Sequence, residues 1–130
     1  MPLSYRIERS LDLLVMTGEG TIGADEIRAC YQRLLADPDY CVIRRELADF
    51  RNAVFEVDPE DVEKLAKSTS ERPIENRIER RAIVIVSDRQ YGLARMFSYL
   101  VAPSGQNVQP FRDIEEARRW LKGDTGSPDA

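Results

Sequence analysis

The chain has 130 residues, 42% apolar and 32% charged, the balance of one soluble globular domain able to bury a core without a disulfide or a metal. Its net charge of −4 argues against nucleic acid as a partner, and the absence of histidine removes the commonest general base, the commonest zinc ligand and every Ser-His-Asp or Cys-His arrangement. No apolar run approaches the ~20 residues that cross a bilayer. The opening MPLSYRIERS lacks an apolar core with a cleavage site, so a cytoplasmic protein without integral membrane association is expected.

Ser4 to Glu8 alternates, with Tyr5 and Ile7 on one face, and Leu11 to Thr17 is a more apolar second strand. The tight break at Arg9-Ser10 predicts a hairpin, and Gly18-Glu19-Gly20 is expected to end it. A first helix is predicted over about Ala24 to Ala36, with Ile27, Cys30, Tyr31, Leu34 and Leu35 as its buried stripe. Arg44 to Phe50 reads as a third strand and Val54 to Val57 as a short extended piece. Asp58-Pro59-Glu60-Asp61 is a strong helix start, opening a second helix to about Ser70. Glu71 to Arg80 reads as a solvated connection.

Arg81 to Val86 is the most apolar β-branched run and predicts a buried strand that feeds a helix over about Gln90 to Val101. Val108 to Phe111 is a last strand, placed at an edge because Pro110 lacks a donor. A fourth helix runs from about Ile114 to Lys122 behind the cap of Asp113, and residues 124–130 are expected to be a flexible tail on a single domain of residues 1–123. The order is ββαβαβαβα, an α/β fold with a mostly parallel mixed sheet after an N-terminal hairpin.

Three groups of residues carry candidate chemistry. Gly18-Glu19-Gly20-Thr21-Ile22-Gly23 satisfies the spacing of a dinucleotide-binding turn between strand and helix. Against that reading, Glu19, Asp25 and Glu26 would crowd a pyrophosphate, and a plain glycine turn explains the spacing. Asp49 and Asp88 are each expected at the carboxyl end of a parallel strand, where such folds bind ligands. With Gly18 and Arg51 they form a candidate small-molecule site, near Asn52, Arg89 and Arg112; surface ion pairing is the plainer reading. An acid–base pair of Asp49 and Asp88 is a third reading.

Tyr91, Arg95 and Tyr99 recur at i, i+4 and i+8 beside the apolar stripe of the third helix, a composition suited to a protein interface. Cys30 falls on a buried stripe, as a small core hydrophobe, and Cys41 in a loop without an evident activating partner beyond Arg44 and Arg45. With no nucleophile–base pair in view, neither enzymatic activity, metal nor cofactor is expected.

The segments LLVMTGEG, LLADPDY, ELADFRNAVFEV before DPEDVEKLA, RAIVIVSDRQYGLARMFSYL and FRDIEEARRWL together resemble the STAS-like, SpoIIAA-like domain family, in particular its small stand-alone bacterial members. The resemblance spans about Ser4 to Lys122 and implies a β/α superhelix and a non-enzymatic regulatory module acting through protein contact, with an unidentified partner or a homodimer. Anti-anti-sigma members carry a phosphorylated serine at the start of the helix after the third strand. Here that stretch is Val57-Asp58-Pro59-Glu60, with no serine or threonine, so the switch does not carry over. A second branch, similar to lipid-binding SEC14-type domains, implies a large apolar pocket that this chain length is not expected to enclose. The alternative function is therefore an anionic or lipid-like ligand bound at the carboxyl edge.

Overall fold

The computed structural model describes residues 2–72 and 78–123. Part of the expected polar connection, residues 73–77, and the expected tail, residues 124–130, lie outside the described residues.

Strands β1 (Leu3–Glu8), β2 (Leu13–Gly23), β3 (Arg45–Glu56), β4 (Arg80–Val84) and β5 (Asn107–Phe111) lie side by side in chain order as one sheet. β1 runs antiparallel to β2, and the other three pairings are parallel. Helices α1 (Ala24–Leu35), α2 (Pro59–Ser70) and α3 (Asp88–Val101) bridge the parallel steps, and α4 (Ile114–Leu121) follows β5. This is the order expected from the sequence. The connections all step the same way across the sheet, so crossovers of one hand place α1, α2 and α3 on one face.

Side chains alternate along a strand. On β3, Glu46, Ala48 and Phe50 therefore face α1–α3, while Arg45, Leu47 and Asp49 face the other way. The first face carries the larger core, with Leu14, Met16, Ile22, Cys30, Leu34 and Val62 all buried. On the second, Leu47, Ala82, Val84 and Phe111 pack against Ala117, Trp120 and Leu121 of α4. Two arginines that are partners across β3 and β4 fasten that helix. Arg45 donates to the Leu121 carbonyl at 2.8 Å and Arg80 to the Trp120 carbonyl at 2.7 Å. Both charges thus sit at the negative end of the α4 dipole.

The largest departure from the sequence reading is the length of the central strands. β2 does not stop at Gly18 but runs to Gly23, pairing with β3 up to Glu56. The glycine motif is therefore strand, not a phosphate-binding turn. Its glycines answer to a bulge between Thr17 and Glu19 instead. Gly20 has φ +72°, and a Cβ on Gly18 would lie 2.9 Å from both Ile22 and Phe50. Val54 to Glu56 likewise continues β3 and is no separate piece.

β4 ends at Val84, opposite Asp49, so the upper part of β3 has no strand on that side. Gln90 takes its place. Its buried amide accepts from the Phe55 N–H at 2.6 Å and donates to the Ala53 carbonyl at 3.4 Å. One side chain from α3 thereby satisfies backbone groups that a neighbouring strand would otherwise pair.

The bulge supports a direct test. Gly18→Ala forces a methyl group against two packed side chains and should cost about 1–3 kcal/mol. Gly92→Ala, in α3 with nothing within 4 Å of the added carbon, should stabilise by about 0.5–1 kcal/mol. Urea unfolding of the two variants measures both.

Candidate ligand-binding site

At the carboxyl edge the two candidate aspartates are each paired with a different arginine. Asp49 lies within β3, and its carboxylate is held by its neighbour: Arg51 donates from Nε and Nη2, each at 2.9 Å. That hydrogen-bonded contact, against some burial, holds the Asp49 carboxyl below its usual range. Gly18 sits at the bulge, between Thr17 and Glu19, the register partners of Asp49 and Asn52. Asp88 belongs to a different cluster, where Arg112 donates to it at 2.7 Å. The Asp88 side chain is 94% exposed, and each aspartate has its own arginine.

The Tyr91, Arg95 and Tyr99 row is divided. Tyr91 is half-buried under the Arg112 guanidinium, 4.5 Å from its ring centre. Arg95 donates to the Tyr99 hydroxyl at 3.4 Å, and Tyr99 is 70% exposed. Cys30 is buried among the core residues, and burial pushes its thiol upward. Cys41 lies in the 3-10 turn Tyr40–Val42, and its side chain is outside the described set. Asp58 caps α2, accepting from the Asp61 N–H at 2.8 Å, while Asp61 accepts from the Asp58 N–H at 3.1 Å. Among the described residues no three His, Cys, Asp or Glu side chains gather as they would around a metal ion.

A cleft lies elsewhere, on the helical face of the sheet. It measures about 200 Å³ and lies between α1, α2 and the strands, with Met16, Ile27, Ala48, Phe50, Leu65 and Phe97 among its walls. This exceeds the ~150 Å³ of an apolar cavity that admits benzene. An apolar cleft is thus present, though not the large enclosed pocket that the chain length was expected to exclude. It is modest in size and opens to solvent, so it needs no larger domain to enclose it.

One end of the cleft is polar. Glu46 on β3 and Arg81 on β4 are register partners, 0% and 4% exposed, with Nε of Arg81 3.2 Å from Oε2 of Glu46. The Tyr31 hydroxyl, from α1, donates to the same oxygen at 2.7 Å. Burial disfavours the Arg81 charge, but Glu46 outweighs it, with Tyr31 and Tyr40 adding to the effect, so the guanidinium stays charged. Burial first, then the Glu46 charge, pushes the Tyr31 phenol well up, so it remains a hydrogen-bond donor. Arg72 and Arg81 both lie over the Tyr31 ring, at 5.0 and 5.5 Å from its centre.

This polar end is not fully satisfied. Among the described residues, Glu46 Oε1, Arg81 Nε and Nη2, and the Tyr40 hydroxyl have no hydrogen-bond partner. The 3.2 Å contact between Arg81 and Glu46 is close enough for an ion pair but not aligned as a hydrogen bond. Sequence reasoning missed both residues because charges in strands read as surface. The available signal was their position: Glu46 and Arg81 each abut an apolar run, Leu47-Ala48 and Ala82 to Val86.

No protein-family model and no curated protein matches the chain. A solved structure from Shewanella loihica PV-4 is similar, described as an uncharacterized protein from the DUF3478 family with a SpoIIAA-like fold. The two superpose with a TM-score of 0.57 at 21% identity, over 92% of this chain and 93% of that one. The fold of this chain is SpoIIAA-like. The α/β architecture and opening hairpin implied by the sequence resemblance are those the structure shows. Among the described residues no helix is long and apolar enough to cross a membrane.

The buried pair makes a quantitative prediction. Arg81→Met leaves the Glu46 carboxylate without its cation and should cost about 3–5 kcal/mol in urea unfolding. Adding Glu46→Leu to the same chain should recover much of that loss, because the lone buried charge is gone.

Proposed function

We propose that this SpoIIAA-like domain is a binding module whose cleft takes up a small amphipathic molecule, apolar along its body and polar at one end. The observation that carries this reading is the pairing of an apolar cleft with buried, unpartnered polar atoms of Glu46 and Arg81 at one end. Buried polar groups are ordinarily satisfied, so exceptions in a cleft favour a ligand or an ordered water. This moves the expected small-molecule site from the carboxyl edge around Gly18, Asp49, Arg51 and Asp88 to the helical face. At that edge the two aspartates already hold arginines.

Ala48 faces the cleft from the middle of β3 and is opposed by Met16 and Ile83. Ala48→Leu should fill the cleft without unfolding the domain. The uncharged fluorescent probe 1-anilinonaphthalene should bind the native protein saturably and raise its melting temperature. At ~100 times its dissociation constant a ligand adds about 2.7 kcal/mol. The Leu variant should bind the probe at least ~10-fold more weakly, the order expected for losing one well-filled apolar contact. Equal binding by both proteins would overturn the cleft as the site.

A second reading, regulation through protein contact, rests on Tyr99, which leaves most of its ring in water beside Arg95. Aromatic and arginine side chains are enriched where partners dock. Joint replacement of Arg95 and Tyr99 by alanine should change stability by less than about 0.5 kcal/mol. It should also abolish either self-association in sedimentation or capture of a partner on an affinity column. A native protein that is monomeric at high concentration and captures nothing would sink this reading.

A further inference from the structure

We propose that the inner end of the cleft selects an uncharged head group that both donates and accepts a hydrogen bond, such as a hydroxyl or primary amide, over an ionised carboxylate. The inference rests on the cleft being a ligand site and names the ligand's chemistry.

Glu46 and Arg81 face each other across β3 and β4, and both line the cleft. One carboxylate oxygen, Oε2, is engaged, taking the Tyr31 hydroxyl at 2.7 Å. Of the unpartnered atoms, Nε of Arg81 lies 3.2 Å from Oε2 and the Tyr40 hydroxyl is not part of the cleft lining; the two that remain have opposite needs. Oε1 of Glu46 can only accept, and Nη2 of Arg81 can only donate. Since the pair's charges cancel, the floor offers a matched acceptor and donor with little net attraction for an ion.

A hydroxyl satisfies both atoms at once, accepting from Nη2 and giving its proton to Oε1. A primary amide does the same with its carbonyl and N–H. An ionised carboxylate can accept from Nη2 but sets a second negative oxygen against Oε1. An ether accepts but leaves Oε1 without a donor. Arg72 adds positive charge beside the Tyr31 ring, but it is the buried floor that decides which head can be seated. A water resting there would have the same two bonds, so a displacing head must reproduce both.

The test uses three ligands with one short chain: hexanol, its methyl ether and hexanoate, titrated by calorimetry at pH 8. The native protein should bind hexanol about tenfold more tightly than the ether, and hexanoate weakest, on the scale seen where a buried polar group loses its partner. Glu46→Gln removes the negative charge and supplies an N–H donor. In that variant the ether and hexanoate should each gain about tenfold relative to hexanol.

Should Glu46→Gln fail to fold, the charge-cancelled double variant Glu46→Leu with Arg81→Met serves instead, and its preference for hexanol over the ether should fall to about twofold or less. An ether that binds the native protein as tightly as hexanol overturns the head-group selection while leaving the cleft reading intact. If none of the three ligands binds, and the anilinonaphthalene probe does not bind either, the cleft reading itself fails and the selection with it.

Discussion

The contact on which this structure turns is the ion pair of Glu46 and Arg81, set between neighbouring strands beneath the helices. Removing two charges from water is costly, and their mutual attraction offsets that cost only if the geometry is held. That demand fixes the sheet. Slipping β4 by one residue against β3 would turn Arg81 toward α4 and leave Glu46 alone beneath α1. It also fixes the first helix, because the Tyr31 hydroxyl must reach Glu46 from α1. Register and helix placement therefore answer to the same carboxylate.

The two faces of the sheet use arginine differently. On the α4 face, Arg45 and Arg80 meet backbone carbonyls at a helix end and serve as fasteners. On the other, Arg81 lines a cleft and has hydrogen-bonding capacity to spare. At the carboxyl edge Arg51 and Arg112 are occupied by nearby carboxylates. Arginine content alone thus says little about binding; what matters is whether the guanidinium already has planar partners.

The sequence was most legible where signals are local. Asp58-Pro59 and Asp113 announce helix starts through capping chemistry that spans only a few residues, and both caps are formed. The order of elements along the chain followed from their alternating patterns. What was not legible depends on neighbours distant in the chain. Gly18 and Gly20 look like a strand's end, and only the partner residues of β3 keep β2 going through a bulge. Glu46 and Arg81 look like ordinary surface charges until the register sets them opposite one another. The cleft is harder still to foresee, since it is a shortfall of packing between α1, α2 and the sheet rather than a property of any one segment.

Gln90 has a consequence for how the molecule behaves among its own copies. Beyond Val84, β3 would present bare amides and carbonyls, a template on which a foreign strand could add itself. By seating its amide on Ala53 and Phe55, Gln90 occupies that template with a group that cannot be extended. The short β4 therefore does not leave a sticky ribbon. The helix that follows it doubles as a guard against strand exchange and aggregation.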